Sequence, residues 1–115
     1  MTVFLKIILP EQELPTLSAN KIVLPIKQGN LTIIEKKAPA MQILEIGLVQ
    51  LLNQKDCAEK RWFIKGGFAE VSENNCRIAT EEIIDLDKVS LSELEEKSKA
   101  DSLYLAAYEY VKAFG

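Results

Sequence analysis

At 115 residues the chain is long enough for one domain and too short for two of ordinary size, so any second element is an appendage to a single core. Hydrophobic residues make up 48% and charged residues 27%, which excludes a disordered or fibrous chain. Lys+Arg number 14 against 17 Asp+Glu, a net charge of −3 with no long basic run, so nucleic acid is not an expected partner. The longest mostly apolar stretch, Ile43 to Leu52, is broken by Glu45, Gly47 and Gln50 and falls short of the roughly 20 residues that span a bilayer, so no direct membrane insertion is expected. The opening MTVFLKIILP has one Lys inside its apolar run and no small-residue cleavage site, unlike a secretory signal, so a cytoplasmic start is expected. Cys57 and Cys76 are then expected to stay reduced. Histidine is absent, which removes the commonest general base and metal ligand; no catalytic residue, cofactor or metal site is expected.

Up to about residue 84, short aliphatic and β-branched runs alternate with turn formers, the pattern of a sandwich or barrel. Thr2 to Leu9 is the first strand, closed by Pro10. Lys21 to Lys27 follows, with Pro25 inside it; proline donates no ladder hydrogen bond, so this strand is expected to be an edge or bulged there. Gln28-Gly29-Asn30 turns the chain into Leu31 to Ile34, and a loop from Glu35 to Ala40 leads to Gln42 to Leu52. Gly47 marks a bulge or corner in that run, which then serves two sheets. Beyond a polar loop from Asn53 to Lys60 come Arg61 to Lys65 and Phe68 to Ser72, separated by Gly66 and Gly67 as a structural turn or a strand kink. Glu73-Asn74-Asn75 is a hairpin turn into Cys76 to Thr80, and Glu81 to Asp85 is one more short strand. Trp62 and Phe63 point to opposite faces of one strand, so one ring is expected in the core and the other outward.

After Asp87 the pattern changes. Ser90-Leu91-Ser92-Glu93 is a capping box, and no proline or glycine interrupts the chain from there to Phe114. Leu103, Ala107, Tyr110 and Phe114 recur at helical spacing, while the polar stretch Lys97 to Ser102 weakens the stripe. One helix of about 23 residues is the preferred reading, with two short helices hinged near Asp101 as the other. The expected fold is mainly β, a sandwich over 1–87, with a C-terminal helical segment over 88–115. Tyr104, Tyr108 and Tyr110 at helical spacing fit packing on the sandwich or a partner better than a membrane platform. Glu81, Glu82, Asp85 and Asp87 lack calcium-loop spacing and are simpler to explain as helix-preceding acids.

The run Phe63-Ile64-Lys65-Gly66-Gly67-Phe68-Ala69-Glu70-Val71, followed by an Asn-containing turn and a strand, resembles the signature of the epsilon-subunit family of rotary F-type ATP synthases. Lys21-Ile22, Gly29 with Leu31 and Ile33, Ala38-Pro39 and Gly47 fall in the family's order, so the resemblance covers about residues 3 to 95. Thr32, Lys37 and Lys65 depart from the family's usual glycine, histidine and serine. The resemblance implies a ten-stranded sandwich of two sheets with a shortened helical region, docked on the gamma subunit and standing on the c-subunit ring. It implies a non-catalytic part of the rotor, coupling proton-driven rotation to ATP synthesis at the cytoplasmic face of a bacterial membrane. Loops holding Gln28, Gly29 and Asn30, and Lys36, Lys37 and Ala38, would face the c ring, and an outward Trp62 or Phe63 would contact gamma. Leu86-Asp87-Lys88-Val89-Ser90-Leu91 keeps the first half of the family's ATP motif and lacks its Arg, so poor nucleotide affinity and weak or no hairpin-type inhibition are expected. A sheet face shaped for gamma would favour self-association of the isolated chain. A free-standing β-sandwich ligand-binding module is the alternative from another class.

Overall fold

Val3, Leu5 and Ile7 of the first strand, β1 (Val3–Leu9), are buried while Phe4 faces out, the period-two mark of a strand with one side on a core. In the computed structural model, which describes residues 2–34 and 37–114, eight further strands join it. They are β2 (Gln12–Glu13), β3 (Leu17–Ala19), β4 (Lys21–Ile26), β5 (Gly29–Ile33), β6 (Lys37–Leu52), β7 (Ala58–Glu73), β8 (Asn75–Ala79) and β9 (Ile83–Asp85). The strand order is β2-β1-β8-β7-β6-β4-β5, with β3 on β1 and β9 on β7; among the described residues only β1 and β8 run parallel. Nine strands are thus found among the described residues where ten were expected. The two unexpected ones, β2 and β3, hold two and three residues, too few to show a period in sequence.

Two long strands make the sandwich out of this one connected sheet. β6 and β7 keep a constant register from Ala40↔Val71 to Leu51↔Lys60, yet their buried positions change parity. Leu44 is buried in the first half of β6, Val49 and Leu51 in the second; Trp62 and Ile64 are buried in β7 before the glycine pair, Ala69 and Val71 after it. A strand cannot place even and odd residues on one side unless it bends, so both strands fold over together and their halves face a single core. That core joins Leu5, Ile7 and Ile78 to Ile22, Val49 and Trp62.

Glycine makes the bend possible. Gly66 and Gly67 have φ of +102° and +126°, and a Cβ on Gly67 would stand 2.0 Å from the Ala79 carbonyl oxygen. They do not turn the chain back, so the structural turn becomes a kink within one continuous strand of 16 residues. On β6, Gly47, which pairs with Ile64, admits Pro25, whose Cβ would be 2.7 Å from an added Cβ. Pairing of β4 with β6 stops at Val23, so the missing N–H of Pro25 breaks no ladder bond with β6.

The C-terminal segment forms two helices, α1 (Leu91–Ser98) and α2 (Ser102–Phe114), rather than the single preferred one. Ser90 caps α1, its hydroxyl accepting from the Glu93 N–H at 3.2 Å. Asp101 is the reason the helix breaks: its carboxylate accepts from the Leu103 N–H at 2.9 Å and starts a new helix. The break lets Leu94, Leu103 and Ala107 pack together on Phe63 and Ile84 as a second core, which one straight rod of about 35 Å would not allow.

Candidate subunit interface

Each layer of the sandwich has an inner face on the core and an outer face. On the layer made by the second half of β6 with the start of β7, the outer pair Leu48↔Phe63 is covered by the helical hairpin. The tilted rings of Phe63 and Tyr110 lie 5.9 Å apart there. On the other layer the register aligns a row across four strands: Ile43 of β6 opposite Phe68 of β7, Phe68 opposite Ala79 of β8, and Ala79 beside Ile8 of β1. Among the described residues nothing covers this row. Ile43 is 79% exposed, Met41 63%, Phe68 50% and Phe4 42%. A shallow cleft of about 310 Å³ opens beside Phe68, lined by Ile8, Leu9, Pro10, Ala79 and Thr80.

A charged row flanks the apolar one. Met41 lies opposite Glu70, Glu70 opposite Arg77, and Arg77 beside Lys6, which pairs with Glu13 at 2.9 Å. The hydrogen bond and charge of Lys6 hold the Glu13 carboxyl below its ordinary range. An apolar stripe with a polar border is the anatomy of a protein interface, since the border fixes orientation while the stripe supplies affinity.

The residues expected from sequence fall elsewhere. Gln28, Gly29 and Asn30 are exposed at the β4–β5 turn, Gly29 with φ +126°. Lys36 lies outside the described residues; Lys37 and Ala38 open β6 by backbone, with side chains outside the description. Gly29 and Asn30 thus begin β5, while Lys37 and Ala38 begin the next strand, β6. Trp62 and Phe63 do alternate, but neither is outward: Trp62 is 3% exposed in the main core and Phe63 6% exposed under the hairpin. The expected outward aromatic is therefore corrected to Phe68, which a sequence reading misses because the parity of facing flips at Gly66-Gly67.

Among the described residues no cluster of three or more Cys, Asp or Glu is placed to hold a metal ion. Asp85 instead accepts from Lys60 at 2.6 Å and from the Asp87 N–H at 2.9 Å. The Asp85 hydrogen bond is the main cause that raises the Lys60 pKa above its ordinary value. Cys57 is exposed and Cys76 buried, and both are free; burial pushes the Cys76 thiol up to about 12. No helix of the described residues is long and apolar enough to cross a membrane.

The family described as ATP synthase, Delta/Epsilon chain, beta-sandwich domain matches residues 2–85, which defines the class of the protein. Two epsilon chains show the nearer kinship. The one from Granulibacter bethesdensis is 27% identical over 101 residues, 87% of this chain and 74% of that one. The one from Maricaulis maris is 30% identical over 121 residues, 90% of this chain and 89% of that one. The chain belongs to the ATP synthase epsilon-chain family, whose members are stalk subunits rather than catalytic ones. A chain in the Euglena gracilis mitochondrial ATP synthase OSCP/F1/c-ring assembly shares the fold at a TM-score of 0.70 and 18% identity, covering 97% of this chain and 80% of that one. A chain in the Tetrahymena thermophila mitochondrial ATP synthase central stalk and c ring shares it at 0.61 and 14% identity, covering 92% and 96%.

Proposed function

We propose that this chain is the epsilon subunit of a proton-translocating F-type ATP synthase and docks on the gamma subunit of the central stalk through its bare outer face. The single observation that carries the reading is the uncovered row Ile43–Phe68–Ala79–Ile8 on the face the hairpin leaves open. A rotor subunit must follow its neighbour without slipping. Burying an exposed Ile, Phe or Met side chain contributes about 1.5–3 kcal/mol, so a few such residues on a flat sheet can hold a partner firmly. The charged row Glu70, Arg77 and Lys6 would set its register.

The c-subunit ring is the second partner, reached through Gln28, Gly29 and Asn30 and through Lys36, Lys37 and Ala38. Asn30 there offers a neutral hydrogen bond in place of a charge-assisted one. The assembly would sit peripherally at the cytoplasmic face of a bacterial inner membrane. Hairpin-type inhibition is weak or absent, because the apolar sides of α1 and α2 are occupied by Phe63 and Ile84. Leu86 and Val89 of the partial ATP motif also pack under the hairpin, and no Arg accompanies them.

The test is co-purification of the full tagged chain with the synthase gamma subunit of the same organism. Stoichiometric gamma binding supports the rotor reading. A folded, monomeric chain that ignores gamma would contradict it and bring the ligand-module reading forward. Against that alternative, the more enclosed cavity, lined by Leu5, Ile7, Leu14, Leu17 and Trp62, measures only about 180 Å³, and the larger cleft of about 310 Å³ beside Phe68 is a shallow, open groove. Ordinary ligand sites run from about 300 Å³ upward.

A further inference from the structure

The cleft beside Phe68 is built from three segments: the end of β1 with Ile8 and Pro10, the end of β8 with Ala79, and the kinked part of β7 with Gly67 and Phe68. Glu81 also lines it and is its only charged residue among those described. The segments are pinned to one another. The Thr80 N–H donates to the Ile8 carbonyl at 3.1 Å, and the Glu82 carbonyl accepts from the Lys65 N–H at 3.2 Å and from the Thr80 hydroxyl at 3.3 Å. Backbone bonds therefore hold the chain on both sides of Glu81, and no segment has to be ordered when a partner arrives.

Glu81 is exposed, and among the described residues no cation forms an ion pair with it. Two cations of the surrounding strands are engaged elsewhere: Lys65 lies 3.9 Å from Glu82, and the charge of Arg77 acts on Glu13. An acid alone on a surface is ordinarily just solvated. What sets Glu81 apart is the company it keeps, an aliphatic lining and the half-exposed ring of Phe68 in the same cleft.

One side chain matches all three. Arginine has an aliphatic stem that lies on apolar surface, a planar head that stacks on an aromatic face, and a donor fork that fits a carboxylate with two parallel bonds. Lysine shares the stem and the charge but has neither the plane nor the fork. We infer that the cleft is the seat of an arginine of the gamma subunit, with its stem along Ile8 and Ala79 and its guanidinium against the Phe68 ring and the Glu81 carboxylate. The inference rests on the proposed docking of gamma through the open face, and adds the residue chemistry that gamma brings to it. Arginine is also among the few residue types that carry most of the energy of an interface, and a stacked, forked contact fixes orientation as well as affinity.

Calorimetric titration of the full chain with the gamma subunit of the same organism tests the assignment. Glu81→Gln keeps the size and loses the charge, and should weaken binding about tenfold and flatten its dependence on salt. Phe68→Leu keeps an apolar side chain and loses the ring, and should weaken binding several-fold. Replacing the arginines of gamma by lysine one at a time should find one variant that binds the unaltered chain about tenfold more weakly and whose loss largely vanishes against Glu81→Gln, the mark of a direct pair. Unchanged affinity in Glu81→Gln, or no gamma arginine coupled to it, would overturn the assignment and leave the docking reading standing. A gamma subunit that ignores the unaltered chain would end both. A free chain that sediments as a dimer, and as a monomer once Glu81→Gln is made, would give the cleft to Arg77 of a second copy and likewise overturn the assignment.

Discussion

Leu48↔Phe63 and Ile43↔Phe68 are pairs from the same two strands, in one unbroken register and five residues apart, yet one is sealed and the other open. The difference comes from the corner between them. It turns the two halves of the β6–β7 ladder into separate layers, and the chain that follows β9 reaches only one of their outer faces. A sheet face with an aromatic and an aliphatic residue needs a cover in either case. In one layer the chain supplies it with α1 and α2; in the other, on the reading proposed above, the gamma subunit supplies it.

The comparison breaks first at its sealed side. Phe63→Ala removes the ring that joins Ile84, Leu103 and Tyr110, and should cost about 4 kcal/mol in chemical denaturation, with the hairpin losing its exchange protection. Gly67→Ala strikes the corner itself. With φ +126° and the Ala79 carbonyl in the way, it should cost about 3 kcal/mol and shift the Ile43–Phe68 pairing, read from denaturation and NMR cross-strand contacts. On the open side the pattern reverses: Phe68→Ser should change folding stability by no more than about 0.5 kcal/mol while weakening gamma binding by about 2 kcal/mol, or roughly thirtyfold. Ser90→Ala should cost about 1 kcal/mol through the lost cap of α1, seen as a lower hairpin melting point with no change at the open face. The smallest perturbation is chemical: at pH 8 a thiol reagent should modify exposed Cys57 at once and spare Cys76 until the sandwich unfolds.

The strands were legible wherever alternation ran for five or more residues, as in Val3, Leu5 and Ile7, and the capping box at Ser90 placed the start of α1. What the sequence concealed was parity. Trp62-Phe63-Ile64 and Phe68-Ala69 look like two ordinary strands, and only the shared bend at Gly66-Gly67 reveals that Phe63 and Phe68 face different neighbours. Met41 and Ile43 were hidden for the same reason, since their side of β6 depends on a corner further along the strand. The break between α1 and α2 was half legible: Asp101 stands out as a capping residue, but helical continuation competes with capping, and the gain from packing Leu94 against Leu103 is a tertiary effect no local pattern carries.

The most direct measurement is the calorimetric affinity of gamma for the full chain carrying Ile43→Asp with Phe68→Asp, set beside Leu105→Asp, an exposed apolar residue of the hairpin, 43% exposed. The open-face account predicts at least about a hundredfold loss for the first and less than about threefold for the second, with both proteins folded. Retained affinity in the double variant, or a large loss at Leu105 alone, would contradict it.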